Sequence, residues 1–134
     1  MYKKTITAVV CVILISLLFL TGRYFYKLSK YKQVVADIAI EAPNLSNISD
    51  GTYNGAFDAA MISADVSVTI RSHRITEIKI NEHKTDKGQQ AERITDDVLS
   101  AQSLNVDTIS GATNSSKVIL KAIELALKEG EQGG

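Results

Sequence analysis

Eighteen consecutive residues without a charge, Thr5 to Gly22 (TITAVVCVILISLLFLTG), constrain this chain more than any other feature. About 18 or more such residues form a membrane-span candidate, because a helix of roughly that length crosses the hydrocarbon core of a bilayer. Met1–Lys4 gives the run a short basic start, which is also the shape of a secretory signal. However, Leu20-Thr21-Gly22-Arg23-Tyr24 is a poor cleavage site. Cys11, the only cysteine, lies mid-run behind Val9-Val10 and not after the small residue a lipoprotein signal needs. Residues 1–22 therefore read as an uncleaved N-terminal membrane anchor. Tyr24, Tyr26 and Tyr31 suit an interfacial aromatic belt.

Charge obeys the same division. The 134 residues carry 15 basic and 15 acidic side chains, a formal sum of zero. Lys3, Lys4, Arg23, Lys27, Lys30 and Lys32 flank the apolar run, and from Gln33 onward nine basic residues face fifteen acidic ones, a net of −6. A basic collar thus precedes an acidic domain. A nucleic-acid binder would place its positive charge on the folded part, so no nucleic-acid partner is expected. Counting bases alone would keep the C-terminal domain inside the cell, whereas a signal-like N-terminal run directs export of the chain attached to it.

Leu28, Tyr31, Val35 and Ile38 recur at helical spacing, so the membrane helix is expected to continue as a stalk until Pro43 ends it. Asn44–Ser49 (NLSNIS) reads as a polar linker, and residues 23–49 as stalk plus linker. The folded domain is assigned to residues 50–130. Thr52–Phe57 places Tyr53, Gly55 and Phe57 on one face of a strand. Val66, Val68 and Ile70 alternate with polar residues, a turn falls around Ser72-His73, and Ile78 and Ile80 resume the alternation. The pattern predicts three or four antiparallel strands. The period then changes: Ala91, Ile94, Val98 and Ala101 mark one helix over Gly88–Ala101. A second starts near Ser115, with Ile119, Ile123, Ala126 and Leu127 inward and Gly130 as its stop. Residues 131–134 are expected to be a disordered tail. The class is α+β: a small antiparallel sheet with two main helices, preceded by one transmembrane helix.

The stretch with most chemistry is Asp107-Thr108-Ile109-Ser110-Gly111-Ala112-Thr113-Asn114-Ser115-Ser116, where hydroxyls and a glycine sit immediately before a helix. The first turn of a helix has unpaired N–H groups and partial positive charge, so it attracts phosphate. The residues allow two readings: an anion site centred on Thr113, or simply a helix capped by Ser or Thr. His83, between Glu82 and Lys84, could serve a cofactor or lie in a solvated loop, and His73 belongs to a hairpin turn. Neither the two histidines nor Cys11 makes a metal site, so none is expected. No Gly-x-Ser-x-Gly elbow, Walker loop or zincin helix is present.

Asp-x-x-Ser-Gly-Ala-Thr, here Asp107 to Thr113, resembles the flavinylation motif of the FMN-binding domain family. The similarity extends over roughly Asp50–Lys128, beginning with Asp50-Gly51-Thr52-Tyr53-x-Gly55. Ala59-Ala60-Met61-Ile62 stands where the family often has a glycine-rich stretch. That family includes extracytoplasmic subunits of the Rnf and sodium-pumping NADH:quinone oxidoreductase complexes. The resemblance implies FMN carried covalently by Thr113 through a phosphoester, attached by a separate flavin transferase. It implies that Asp107, Ser110, Gly111 and Ala112 are read by the transferase or shape the loop. The physical reading agrees in placing the phosphate at the N-terminus of the Ser115–Lys128 helix, which makes Ser115 and Ser116 further candidate cofactor-binding residues. The expected protein is a single-pass electron-transfer module exposed outside the cell membrane, exchanging electrons with membrane or extracytoplasmic redox partners and not acting as an independent enzyme. The alternative is an anchored binding or assembly module that holds FMN non-covalently or lacks flavin.

Overall fold

One continuous helix, α1, runs from Tyr2 to Ala36. Its length of about 52 Å exceeds the roughly 30 Å of a hydrocarbon core, so several turns project beyond the apolar run. The computed structural model describes residues 1–133. Ile6, Val9, Val12, Leu14, Leu18, Phe19 and Leu20 all lie open on the surface of α1, and none of its most apolar window is covered by protein. A surface of that kind is stable against lipid and unstable in water. The hydroxyls of Thr7, Ser16 and Thr21 bond back to the carbonyls of Lys3, Val12 and Leu17 at 2.8–2.9 Å, so each takes a hydrogen-bond partner into the apolar run.

Beyond α1 come three antiparallel strands: β1 (Gly51–Asp58), β2 (Ser63–Arg71) and β3 (Arg74–Lys84), in that spatial order. Gly55 pairs with Val66, and Val66 with Ile80; Tyr53 pairs with Val68, and Val68 with Ile78. This register aligns the apolar alternates of all three strands on one face. The other face carries a polar ladder: Thr52 to Thr69 at 3.0 Å, Ser67 to Asn54 at 2.7 Å, and Asn81 to both Asp65 and Ser67. Ser72 and His73 turn the β2–β3 hairpin with positive φ at both residues, the conformation of a two-residue hairpin turn. At the β3 edge, the Gln102 amide accepts from Ile75 N and donates to Ile75 O, both at 2.8 Å, standing in for a fourth strand.

The apolar face is covered by α3 (Thr113–Gly133), assisted by α2 (Ile94–Ala101). The contact is backbone to backbone at one point. A Cβ added to Gly55 would collide with the Ala122 carbonyl and the Ala126 amide and lie 3.0 Å from Ala126 Cα, so β1 tolerates only glycine there. Val118, Ile119, Ala122, Ile123, Ala126 and Leu127 bury against Val66, Val68 and Ile70 to form the core.

Four expectations are corrected. First, α1 ends at Ala36, seven residues before Pro43, because α3 captures the chain beyond it. Lys121 Nζ donates to Ala39 O at 2.9 Å, Glu41 N to Glu124 Oε2 at 3.1 Å, and Asn44 N to Glu131 Oε1 at 3.0 Å. Second, NLSNIS is not a free linker. Asn44 caps a 3-10 turn over Leu45–Asn47, and Ile48 is 0% exposed in the core. Third, the helix expected over Gly88–Ala101 is a 3-10 turn, Gln89–Arg93, leading into α2. Fourth, α3 begins at Thr113 and continues past Gly130 through Gly133, so residues 131–133 are helical; Gly134 of the expected tail lies outside the described residues.

Glu124 anchors this arrangement. Its carboxylate is 0% exposed and meets Lys121 at 3.0 Å and Lys128 at 2.8 Å. Burial alone would push the Glu124 carboxyl up, but hydrogen bonds from Lys128, Lys121 and the Glu41 N–H outweigh it and hold the group below its ordinary value. A carboxyl depressed in the folded state contributes stability that is complete above the unfolded value of about 4.3 and is lost as pH falls through the folded value. Glu124→Gln is therefore expected to cost about 1–2 kcal/mol at pH 7, and the gap from wild type in urea melts should shrink towards pH 3. A gap independent of pH would contradict this assignment. Gly55→Ala should cost about 3 kcal/mol, the upper end for overpacking, while Gly51→Ala on the same strand should be near neutral in the same melts.

Candidate functional site

The loop from Ile109 to Ala112 must reverse the chain into α3. Gly111 does so with φ of +79°, a conformation L side chains disfavour. The loop is held on both sides. Ala112 N bonds Ile109 O at 2.9 Å, Ile109 N bonds Ser116 Oγ at 3.0 Å, Ser116 Oγ bonds Ala112 O at 2.8 Å, and Gln90 Nε2 bonds Ser110 O at 3.2 Å. The first intrahelical bond of α3 runs from Ser116 N to Ala112 O at 2.9 Å, which makes Ala112 the N-cap residue. Alanine has no side-chain acceptor, so the N–H groups of Thr113, Asn114 and Ser115 remain the open donors of the first turn. The simple capping reading thus fails on geometry: Thr113, Ser115 and Ser116 sit inside the helix, Thr108 and Ser110 lie before it, and the cap position is apolar.

These donors open onto a cleft of about 450 Å³, within the range of about 300–1,000 Å³ typical of small-molecule sites. Gly111, Ala112, Thr113 and Ser115 line one side, Thr85–Gly88 a second, Met61 and Ile62 a third, and Leu28 and Tyr31 of α1 a fourth. Thr85 Oγ1 ties two sides together, accepting from Gly88 N at 2.9 Å and sharing a hydrogen bond with Ser115 Oγ at 3.1 Å. A Cβ on Gly88 would run into Ser115 Oγ and lie 2.6 Å from Thr85 Oγ1, so this loop seats on the helix start only with glycine there. Ala60, in the β1–β2 turn beside Met61 and Ile62, has φ of 73°, with its N–H held by Asp58 Oδ1 at 2.7 Å. Alanine therefore fills a left-handed position that glycine adopts more readily.

Of the residues singled out from sequence, the fold brings Gly111, Ala112, Thr113 and Ser115 to the cleft. Thr113 is exposed and Ser115 is buried within the wall. Ser116 is 0% exposed and its hydroxyl is consumed in holding the loop. Asp107 and Ser110 are exposed and lie outside the lining. Thr85, Asp86, Lys87 and Gly88 also line the cleft, as do Leu28 and Tyr31, whose sequence signal is that of a stalk and not of a site; no spacing in the sequence links these segments to the Thr113 loop. His83 is not in a solvated loop: its imidazole is 1% exposed on the core face of β3, with Nδ1 3.0 Å from Glu92 Oε1 and Nε2 without a partner. It does not line the cleft. Among the described residues no group of three His, Cys, Asp or Glu is placed to hold a metal ion.

The chemistry of the lining suits a flavin nucleotide. Open helix N–H donors and the Lys87 cation match a phosphate, with Asp86 the one carboxylate of the lining, while Leu28, Tyr31, Met61 and Ile62 provide an apolar surface for a flat ring. No curated protein sequence matches the chain. A family model described as the FMN-binding domain matches residues 62–128, half of the chain, taking in β2, β3, α2, the Thr113 loop and most of α3. The chain therefore belongs to the FMN-binding domain family, with FMN as its cofactor and a candidate membrane helix at its N-terminus.

Proposed function

We propose that the chain is a membrane-anchored, extracytoplasmic electron-transfer module that carries FMN through a phosphoester to Thr113. One observation carries this reading: an exposed threonine occupies the first position of a helix whose N-cap is alanine, so hydroxyl nucleophile and phosphate-binding N–H groups converge on one opening. In attachment, Thr113 Oγ1 loses its proton to a base of the flavin transferase and forms a bond to phosphorus. The donor is an activated flavin nucleotide, whose phosphoanhydride bond breaks as its second nucleotide leaves. The N–H groups of Asn114 and Ser115 would hold the product phosphate, and the helix dipole would stabilise its charge. When bound, FMN supplies reversible electron transfer. The chain's own contribution is to tether, orient and partly shield it.

Asp107 and Ser110, exposed on the loop before Thr113, are suited to recognition by the transferase. Covalent carriage fits an exterior site, where a released cofactor would be lost. The proposed redox partners are a membrane quinone or flavoprotein on one side and an extracytoplasmic carrier on the other.

After expression with a flavin transferase, the wild-type chain should give a fluorescent band on a denaturing gel under ultraviolet light. Thr113→Ala should abolish it, and Ser115→Ala and Ser116→Ala should keep it. A wild type without the band would overturn covalent carriage, and a band surviving Thr113→Ala would move the acceptor to another hydroxyl. For sidedness, alkaline phosphatase fused after Gly134 should be active in cells; an inactive fusion, at normal abundance, would place the domain inside.

A further inference from the structure

The family match begins at residue 62, yet one side of the cleft is built from Leu28 and Tyr31, more than thirty residues earlier on the anchor helix. We propose that this segment of α1 is a wall of the FMN site, with Tyr31 as a residue that positions and shields the flavin ring. The proposal rests on FMN lying in the Thr113 cleft.

FMN has two chemically different ends. Its phosphate is matched by the open N–H groups at the start of α3, with Lys87 the one cation and Asp86 the one carboxylate of the lining. The apolar lining that remains for the ring is Leu28, Tyr31, Met61 and Ile62, and Tyr31 is its one aromatic side chain. Tyr31 is also fixed in place. Its hydroxyl accepts a hydrogen bond from Asn114 Nδ2 at 2.9 Å, one residue beyond the attachment threonine. One turn further, Val35 is buried at 5% exposure against the domain. Beyond the helix, Ala39 O and Glu41 N are bonded to Lys121 and Glu124 of α3. The stalk is therefore clamped to α3 on the C-terminal side of Tyr31 and touches it at Tyr31 itself.

This placement sets the height of the cofactor. Tyr31 lies nine residues beyond Gly22, the end of the apolar run, and nine residues of helix span about 13 Å. A flavin against Tyr31 is thus held close to the bilayer surface by the same helix that crosses it, within reach of a partner embedded in the membrane.

A phenol packed beside an isoalloxazine quenches its emission by electron donation, and phenylalanine does so far less. The full-length flavinylated protein in detergent micelles separates the two roles of Tyr31. Tyr31→Phe should raise native flavin emission roughly twofold or more while leaving acrylamide quenching unchanged, since the wall stays and the donor goes. Tyr31→Ala should raise both. Leu28→Ala should raise acrylamide quenching alone, and Tyr26→Phe, on the exposed side of α1, should change neither. Emission and acrylamide quenching that stay at wild-type values in both Tyr31 variants and in Leu28→Ala would overturn the wall. The covalent reading fails separately: a wild type without a fluorescent denaturing-gel band that still binds added FMN refutes attachment, and the same variants then read the wall on the reversible complex. No flavin binding of either kind would overturn both.

Discussion

The absence of a side chain at Gly55 lets α3 lie directly on β1, and the rest of the molecule depends on that contact. With the backbones touching, the small and branched residues of α3 reach Val66, Val68 and Ile70, and one helix closes the core of a three-stranded sheet. The same contact fixes the axis of α3, and with it the direction in which its first turn points. The site is thus aimed by packing some three turns away from it, between Ala122 and Ala126.

α3 meets three demands along its length. Its N-terminal turn presents Thr113 and the uncapped N–H groups, its middle buries the sheet, and from its middle onward Lys121, Glu124 and Lys128 hold the segment after α1. Glu124 is a buried charge, which is unfavourable unless paired. Two lysines and a backbone N–H provide the pairing here, and one of those partners, Glu41 N, belongs to the stalk. Burial of the charge and docking of the stalk are therefore one event. Gln102 works in a similar way at the far edge, where a single side chain completes the hydrogen bonding of Ile75.

Much of the fold is legible in the sequence because it rests on period. The alternation of Val66, Val68 and Ile70 and the helical spacing of Ile119, Ile123 and Leu127 report burial directly. The apolar run likewise reports a helix long and apolar enough to cross a membrane. The corrections arise where tertiary contacts override local signals. Pro43 is an effective helix breaker, but α3 draws the chain away at Ala36 first. NLSNIS is polar by count, yet its Ile48 is the residue that enters the core. At the site, the Thr113 loop is legible because motif and helix start coincide. Ser116 is not, since a hydroxyl that binds a ligand and one that holds a loop look alike in sequence. The Tyr31 wall depends on a long-range meeting that no local pattern encodes.

Whether Thr113 carries the flavin is decided by peptide mass spectrometry. Trypsin releases Ile94–Lys117 from the unmodified chain, and this peptide contains Thr113. From protein made with a flavin transferase, covalent carriage predicts this segment heavier by one FMN less one water, with fragmentation placing the addition on Thr113. An unmodified segment, from protein that had bound FMN and released it on unfolding, would contradict it.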